Sequence, residues 1–358
     1  MSASPVAHTR IVGLDIIRIS LMLLIYLFHS HMHYHCDYGF LNSFISMGAI
    51  AMTAFFMLSG YSLHIADGQK NLTDKTSLRQ FYAKRFWGIM PLYYFCGSIY
   101  VIYLIATSKE KAIEELLLFP IEALGLQSYF SSLFEWSHNG GTWFISCLLI
   151  CYFFYPFLEK TIGMLDRHSK ICAVCALGGI LLLAPIIQFK FHLASIYSNP
   201  FFRMCEFSIG ILLAQINSLN NSDFKLLKLL RNKCLALFVV VLLISAVTVA
   251  LHIGIPGDYM LYSWIALPCF IVLFISGGEY TGCEPKVMAY LSKISYGFFL
   301  MQLYLWPITR KVFIVTGIPE INILKIIVSF LICLGGAIVL YEGIEKPIKQ
   351  KFLQRENK

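Results

Sequence analysis

Three ionisable side chains lie in one apolar segment near the start of the chain. Asp15 precedes Arg18 by three residues, and His29 follows Arg18 by eleven. On an α-helix, eleven residues amount to three turns plus about 20°, so Arg18 and His29 share one face and lie about 16 Å apart along the axis. Burying an arginine charge is costly, so Arg18 needs a partner or a function. The i,i+3 spacing allows Asp15 to be that partner, which is the structural alternative to a functional Arg18.

This spacing suits an elongated substrate with an anionic end and a reactive end, such as acyl-coenzyme A. Arg18 would orient the donor or stabilise developing negative charge, and Asp15 would hold Arg18. The imidazole of His29 has an unperturbed pKa of about 6.5, so it is suited to accept a proton from an attacking hydroxyl. The pattern would therefore suit transfer from such a donor, with His29 in the position of a general base. Without a reactive Cys or activated Ser beside His29, direct transfer is favoured over an acyl-enzyme, and an acyl-histidine remains open.

A second arginine, Arg203, also lies inside an apolar segment. Glu206 follows it at the same i,i+3 spacing, so the two side chains could neutralise each other within one helix. The alternative is that Arg203 contacts the substrate. We include Arg203 among the predicted substrate-binding residues and leave both interpretations open.

The histidines that follow His29 raise the question of a metal site. His29 with His33, and His31 with His35, are both i,i+4 pairs of the kind that metal sites use. Asp37 is the sole acidic residue close by in sequence, and the HExxH pattern is absent. We therefore expect no metal ion, and an interfacial position for the three later histidines.

Composition excludes most classes of soluble protein. The 358 residues are 58% hydrophobic and 13% charged, with a mean hydropathy of +0.70, whereas globular proteins average about 25% charged residues. The long apolar runs also exclude a disordered chain. Most of the 11 cysteines lie inside those runs without the spacing of a disulfide framework, and Cys172 and Cys175 form a CxxC pair without other ligands nearby. We therefore expect an all-α, polytopic integral membrane protein.

About ten segments are long enough to cross a bilayer as helices, which takes roughly 20 residues each. They are residues 11–29, 44–65, 86–106, 142–158, 171–189, 200–216, 234–251, 259–276, 294–309 and 326–341. A further apolar stretch, residues 113–134, is broken by Glu114, Glu115, Pro120 and Glu122. We expect it to form an interfacial or re-entrant segment.

The charges of the loops set the expected orientation. Of the 28 Lys and Arg residues, 20 lie on the side of the N-terminus, six lie in the opposite loops, and Arg18 and Arg203 lie inside spans. Cytoplasmic loops carry such an excess, so we expect both termini in the cytoplasm. The basic loops would lie against anionic lipid headgroups, which accounts for the net charge of +8. Without a basic patch interleaved with aromatics or a phosphate-binding loop, we expect no nucleic-acid partner.

Three motifs occur in the first hundred residues. Residues 13–18 read GLDIIR and are followed by His29, residues 55–61 read FFMLSGY, and residues 81–93 read FYAKRFWGIMPLY. In order and separation they resemble the GLDxLR opening with its Arg-x10-His spacing, the FFxLSGF motif and the FxxxRxxRIxPxY motif of the membrane acyltransferase 3 family. Members of that family are polytopic O-acyltransferases of bacterial cell-surface glycans and of some other acceptors.

The resemblance continues over nearly the whole chain, with some departures. The later matches are residues 142–145 (TWFI) with Tyr152 and Pro156, residues 203–210 (RMCEFSIG), residues 294–297 (ISYG), and Glu345 with Pro347, which match a closing ExP. Gly88 stands where the family has a second arginine, and Gln302 stands where it has a late histidine. Leu148 and Leu149 occupy positions that many members fill with acidic residues.

The resemblance implies a donor site and an acceptor site on named residues. Arg85, at the cytoplasmic entrance of a span, would bind a phosphate of coenzyme A with Lys84 beside it, whereas the alternative for both is positive-inside anchoring. Ser59 would donate to a carbonyl or to the acceptor hydroxyl, unless it bonds its own helix at i−4. Tyr296 would position the acceptor, unless it serves packing alone.

Together, these observations predict a single transmembrane acyltransferase domain over residues 1–358, located in the cell inner membrane. It would move an acetyl group from cytoplasmic acetyl-CoA to a hydroxyl of an envelope glycan or its lipid-linked precursor. One alternative is a small-molecule or lipid acceptor. Another is a non-enzymatic transporter or flippase of glycan-linked lipid, in which Arg18, His29 and Arg203 would line a pathway.

Overall fold

The computed structural model describes residues 10–130, 142–191, 196–218, 232–254, 259–278, 280–281 and 285–356. These ranges contain helices and no strand, apart from one isolated antiparallel bridge between Ile11 and Thr281. The α-helices are α1 (Val12–Tyr34), α2 (Asn42–Ile45), α3 (Ala51–Asp67), α4 (Lys75–Thr107), α5 (Lys109–Ala123), α6 (Trp143–Gly163), α7 (Arg167–Phe191), α8 (Pro200–Ser218), α9 (Lys233–His252), α10 (Tyr259–Gly277), α11 (Lys286–Thr316), α12 (Asn322–Leu340) and α13 (Lys346–Glu356). A π-helical turn, Tyr341–Glu345, joins α12 to α13.

Within the described ranges, eight helices are long and apolar enough to cross a membrane. They are α1, α3 with the turn before it, α4, α6, α7, α9, α11, and α12 with the segment after it. Large apolar side chains are exposed on their outer faces, for example Leu237, Phe238 and Val241 on α9, as expected of helices that face lipid. The chain is therefore an all-α polytopic membrane protein, as the sequence predicts.

The other two predicted spans are also helices, but of a different character. In α8, residues from Phe202 to Ile216 are buried except for Met204, so this helix faces protein rather than lipid. Such a position allows it to carry the polar residues Glu206 and Gln215. In α10, the described apolar stretch, Ser263–Gly277, is shorter than a full span.

The second predicted span, residues 44–65, is interrupted near its start. The helix α2 ends at Ile45, a 3-10 turn covers Gly48–Ile50, and α3 begins at Ala51. Gly48 lies against α1, where an added Cβ would be 2.6 Å from the Cβ of Phe28. The close approach of α1 thus requires glycine at this turn, and the membrane-crossing part starts here.

The helix α4 starts earlier than the apolar pattern predicts, at Lys75 instead of Phe86. Asp74 caps it by accepting hydrogen bonds from the backbone N–H groups of Thr76 and Ser77. With 33 residues, α4 is about 50 Å long and extends well beyond a hydrocarbon core of about 30 Å. The polar first turns of α4 therefore project on the side where Arg85 lies.

The predicted interfacial segment is helical over its first part. It forms α5, whose 15 residues are too few for a span, and residues 131–134 lie outside the described residues. The hydroxyls of Tyr93 and Tyr94 on α4 donate to the backbone oxygens of Glu122 and Ala123, which docks α5 against α4.

The helices α3 and α8 form the tightest contact of the described structure. A Cβ on Gly60 would collide with the carbonyl oxygen of Phe207, and a Cβ on Gly210 would collide with that of Met57. Glycine at both positions lets the two backbones touch, as small residues do between membrane helices. The helix α3 is thereby fixed in place beside α1, which in turn packs against α11.

Candidate active site

A cavity of about 460 Å³ lies between α1, α3, α4, α6 and α11. One end of it is lined by four cations, termed here the cationic mouth: Arg18, Arg85, Lys293 and Lys349. Lys293 and Lys349 are exposed to solvent, so the cavity opens at this end. The opposite, apolar end is lined by Met52, Phe144, Phe299 and the amide of Gln302.

The length of the cavity can be measured along two of its helices. On α3 the lining runs from Ser62 at the cationic mouth to Met52 at the apolar end, and on α11 it runs from Ser292 to Gln302. Ten helical residues rise about 15 Å, so the cavity is about 15 Å deep. An elongated ligand with its anionic part at the mouth would therefore reach the apolar end.

Arg18 is held at the cationic mouth by groups from three helices. Its Nη1 donates to Asp15 Oδ1 at 3.2 Å and to Ser292 Oγ at 2.7 Å, and its Nη2 donates to Ser62 Oγ at 3.2 Å. Ser292 also donates to Asp15. Because Ser62 belongs to α3 and Ser292 to α11, the guanidinium has a fixed position at the junction of these helices with α1.

Asp15 lies behind Arg18 rather than in the cavity. It is 4% exposed, and its Oδ2 accepts a hydrogen bond from Arg10 Nε at 2.8 Å. The carboxylate of Asp15 thus binds both Arg10 and Arg18, and it orients Arg18.

His29 is bound to the apolar end of the cavity through Gln302. The Nδ1 atom of His29 lies 2.7 Å from the amide Oε1 of Gln302. An amide oxygen accepts and never donates, so this contact assigns the proton to Nδ1 and leaves the lone pair on Nε2. The amide nitrogen of Gln302 faces the carbonyl oxygen of Phe298 at 3.5 Å, which supports this orientation of the amide.

The imidazole of His29 packs between rings on the cavity side and rings toward the end of α1. On the cavity side, its ring centroid is 6.3 Å from that of Phe299. On the other side, it is 5.6 Å from the ring of His33, which is exposed. His29 itself does not line the cavity; its ring lies between Phe299, which does, and the exposed His33.

Arg85 lines the cationic mouth and is ion-paired with Asp67 at the end of α3. Asp67 is 2% exposed and also binds Lys70 at 2.6 Å, while the Nζ atom of Lys84 lies 3.9 Å away. The Nε atom of Arg85 is buried and has no hydrogen-bond partner within the described residues. This N–H can therefore bind a ligand, whereas Lys84 does not line the cavity.

Ser59 and Tyr296, the two predicted acceptor contacts, both line the cavity. The side chain of Ser59 is hydrogen-bonded to that of Tyr152, which also lines the cavity. The Tyr296 hydroxyl donates to the backbone oxygen of Ile89 at 3.2 Å and ties α11 to α4.

Arg203 is 1% exposed and does not line the cavity. Its Nη1 donates to both carboxylate oxygens of Glu206 at 2.8 and 2.7 Å, and its Nε donates to the backbone oxygen of Tyr197 at 2.7 Å. The rings of Phe56, Trp143 and Tyr197 lie 5.6, 5.4 and 4.9 Å from the guanidinium carbon. The arrangement is that of a structural pair, separated from the cavity by Phe56.

The histidines beyond His29 lie at the end of α1, away from the cavity. The Nδ1 atom of His31 lies 2.9 Å from the carbonyl oxygen of Cys36. Burial raises the pKa of the Cys36 thiol, which disfavours the thiolate that a cysteine nucleophile would need. The described residues contain no group of three or more His, Cys, Asp or Glu side chains that could hold a metal ion.

Several polar residues of the site were not assigned a role from the sequence, among them Asp67, Ser62, Ser292 and Glu345. Helical spacing could have identified two of them, because Ser62 lies one turn after Ser59 and Ser292 lies one turn before Tyr296. Asp67 gave no comparable signal, since its partner Arg85 is on another helix.

A family model described as an acyltransferase domain matches residues 11–342, which is nearly the whole chain. The chain belongs to the acyltransferase 3 family. It is therefore a membrane acyltransferase, as the motifs predict. No significant match is found among the curated proteins or the solved structures.

Three positions at which this acyltransferase departs from the family pattern line the same cavity: Gly88, Leu148 and Gln302. An added Cβ at Gly88 would meet nothing within 4 Å, so the space beside it is open. Three of the four departing positions thus change the lining of one cavity, whereas Leu149 lies against Gly125 outside that lining.

Proposed function

We propose that this acyltransferase moves an acetyl group from acetyl-CoA, bound from the cytoplasm, to a hydroxyl of an envelope glycan or its lipid-linked precursor. The observation that carries the proposal is a cavity that runs from the cationic mouth to Gln302, which is hydrogen-bonded to His29. A donor of the shape of acetyl-CoA would lie along it with its phosphates at the mouth and its thioester at the apolar end.

The charges of the lining support an anionic donor. The cationic mouth faces a single lining carboxylate, that of Glu345, so the lining as a whole is positively charged. Arginine binds phosphate through several parallel N–H donors, and Arg18 and Arg85 are both held in position by carboxylates. Arg18 is about 16 Å from His29 along α1, so it serves the phosphates and not the reacting carbonyl.

The transfer step uses the lone pair on Nε2 of His29. The acceptor hydroxyl oxygen attacks the thioester carbonyl carbon, and its proton moves to Nε2. The new C–O bond replaces the C–S bond, and the proton then passes from Nε2 to the departing coenzyme A sulfur. Gln302 keeps the proton on Nδ1 throughout, which leaves Nε2 able to accept and release the transferred proton.

The acceptor is proposed to approach from the end of α1 that carries the exposed His33, opposite to the donor. This places His29 between the two substrates. We further propose that the protein lies in the cell inner membrane with both termini in the cytoplasm. The excess of Lys and Arg on the side of the cationic mouth supports that orientation.

The decisive experiment compares envelope glycans, by mass spectrometry, from cells that produce the unmodified chain or a histidine variant. His29→Ala should lower the acetyl content about 10²- to 10⁴-fold, the usual contribution of a general base. His31→Ala and His35→Ala are matched controls on the same helix end and should have little effect. A His29→Ala protein that is folded and acetylates at the unmodified rate would contradict the mechanism.

Donor binding is tested separately on the purified protein. Coenzyme A should raise the melting temperature, because a ligand that binds the folded state stabilises it by RT ln(1+[L]/Kd). Arg85→Ala should reduce that shift, whereas Arg79→Ala, which removes an exposed arginine of the same helix, should not. No shift for the unmodified protein at millimolar coenzyme A would refute the donor assignment.

A further inference from the structure

Two Glu–Lys pairs lie three residues apart where α12 passes into α13. Glu342 pairs with Lys346 and Glu345 pairs with Lys349, both at i,i+4 spacing. The side chain of Glu342 is 40% exposed and that of Glu345 is 5% exposed. The pairs are alike in sequence, but one faces solvent and the other lines the cavity.

The π-helical turn Tyr341–Glu345 produces this difference. A π-turn inserts one extra residue per turn and therefore rotates the following side chains relative to a regular α-helix. Such turns are frequent at functional sites, since they aim one side chain at a position that a regular helix would not reach. Here the side chain at the last position of the turn is Glu345.

One oxygen of Glu345 has no hydrogen-bond partner in the part of the chain that the structure describes. Lys349 binds Oε1, whereas Oε2 is buried and has no hydrogen-bond partner within the described residues. A buried carboxylate oxygen without a hydrogen bond is unfavourable and is rare in native structures. Because Glu345 lines the cavity, an N–H or O–H group of a ligand in the cavity would satisfy Oε2.

The position of Glu345 along the cavity follows from how α11 and α12 pack. An added Cβ on Gly297 would lie 3.3 Å from the backbone oxygen of Ala337, so the two helices are level there. Tyr290 of α11 donates to Glu342 at 3.2 Å, so the two helices run in opposite directions. Glu345 follows Ala337 by eight residues, about 12 Å, and so lies at the cationic mouth, slightly beyond the level of Ser292. It is then about 20 Å along α11 from Gln302.

We propose that Glu345 Oε2 accepts a hydrogen bond from a hydroxyl or amide N–H of the pantetheine arm of the donor, next to its phosphates. This rests on the proposed function, in which the phosphates lie at the cationic mouth and the thioester at the apolar end. A carboxylate would repel the phosphates themselves, so its partner is a neutral donor group of the arm. The contact would distinguish coenzyme A from nucleotides that carry the same phosphates without the arm.

The test titrates two ligands into Glu345→Gln, Glu342→Gln and the unmodified protein. The ligands are coenzyme A and 3′-phospho-ADP, which has the nucleotide and phosphates but no arm. In Glu345→Gln the amide can keep its oxygen toward Lys349, which places an NH₂ donor where Oε2 accepted. A lost hydrogen bond to a charged group corresponds to a weakening of about tenfold or more, which we expect for coenzyme A with Glu345→Gln.

The same variant should bind 3′-phospho-ADP at least as tightly as the unmodified protein does, because it removes a negative charge from the mouth. Glu342→Gln should bind both ligands normally. Because both ligands are titrated into one preparation, the ratio of their affinities is unaffected by partial unfolding. Unchanged coenzyme A binding by Glu345→Gln, or equal weakening for both ligands, would overturn the assignment to the arm while leaving the proposed function intact. Failure of the unmodified protein to bind coenzyme A would overturn both.

Discussion

The hydrogen bond between Gln302 and His29 makes a testable prediction about the protonation of the general base. Gln302 is 4% exposed, and its Oε1 accepts from His29 Nδ1 at 2.7 Å. In Gln302→Leu the acceptor is lost, so the imidazole is free to place its proton on Nε2, where it cannot act as a base. We therefore expect slower transfer without loss of donor binding.

The size of the effect follows from the cost of leaving a buried polar group without its partner, about 1 to 3 kcal/mol. If that cost appears in the transition state, transfer slows by about 5- to 150-fold. Gln302→Glu keeps an oxygen acceptor for Nδ1 and should retain most of the rate. The coenzyme A thermal shift should be unchanged in both variants, because Gln302 lies at the apolar end and not at the phosphates.

The assay is the rate of glycan acetylation in cells, divided by the amount of folded protein measured by size-exclusion chromatography. Gln215→Leu is the matched control. Gln215 is 6% exposed and donates from its amide to Glu159 at 2.9 Å, outside the cavity. Its loss should lower stability and leave the rate per folded molecule unchanged. An unmodified rate for Gln302→Leu, or an equal drop for Gln215→Leu, would refute the reasoning.

Two further predictions concern architecture. Arg203→Met should destabilise the protein by about 3 to 5 kcal/mol, because it leaves the charge of Glu206 buried and unpaired. The double variant with Glu206→Met should recover much of that loss. Thermal unfolding measures the stability of both variants, and a double variant no more stable than the single variant would count against a purely structural pair. Reporter fusions should place Asp166 in the cytoplasm and Gly254 on the opposite side, and a reversed result would contradict the orientation derived from the loop charges.

The features that the sequence predicted well are those that depend on one helix. Arg18 and His29 both lie on α1, as the apolar pattern predicts, and Arg18 lines the cavity whereas His29 does not. The all-α membrane fold likewise follows from apolar length, which is a local property. Ser59 and Tyr296 were found through motifs, and each lies on the cavity side of its own helix.

The contacts that complete the site could not be predicted, because they join helices that are far apart in the chain. Arg18 and Ser292 bond across 274 positions, and His29 and Gln302 bond across 273. A single sequence gives no information on which helices are neighbours. The apolar pattern also underestimated α4, since its first turns are polar and are stabilised by the Asp74 cap instead of by burial.

The backbone contacts of Gly60 with Phe207 and of Gly210 with Met57 have a consequence for how the cavity could close on a ligand. It joins α3 to α8 over much of their length, whereas α4 touches its neighbours through short stretches. We therefore expect α3, which carries Ser59, to keep its position when a ligand binds, and α4, which carries Arg85, to move. Amide hydrogen exchange would then be slowest in α3 and α8, and coenzyme A would protect α4 most.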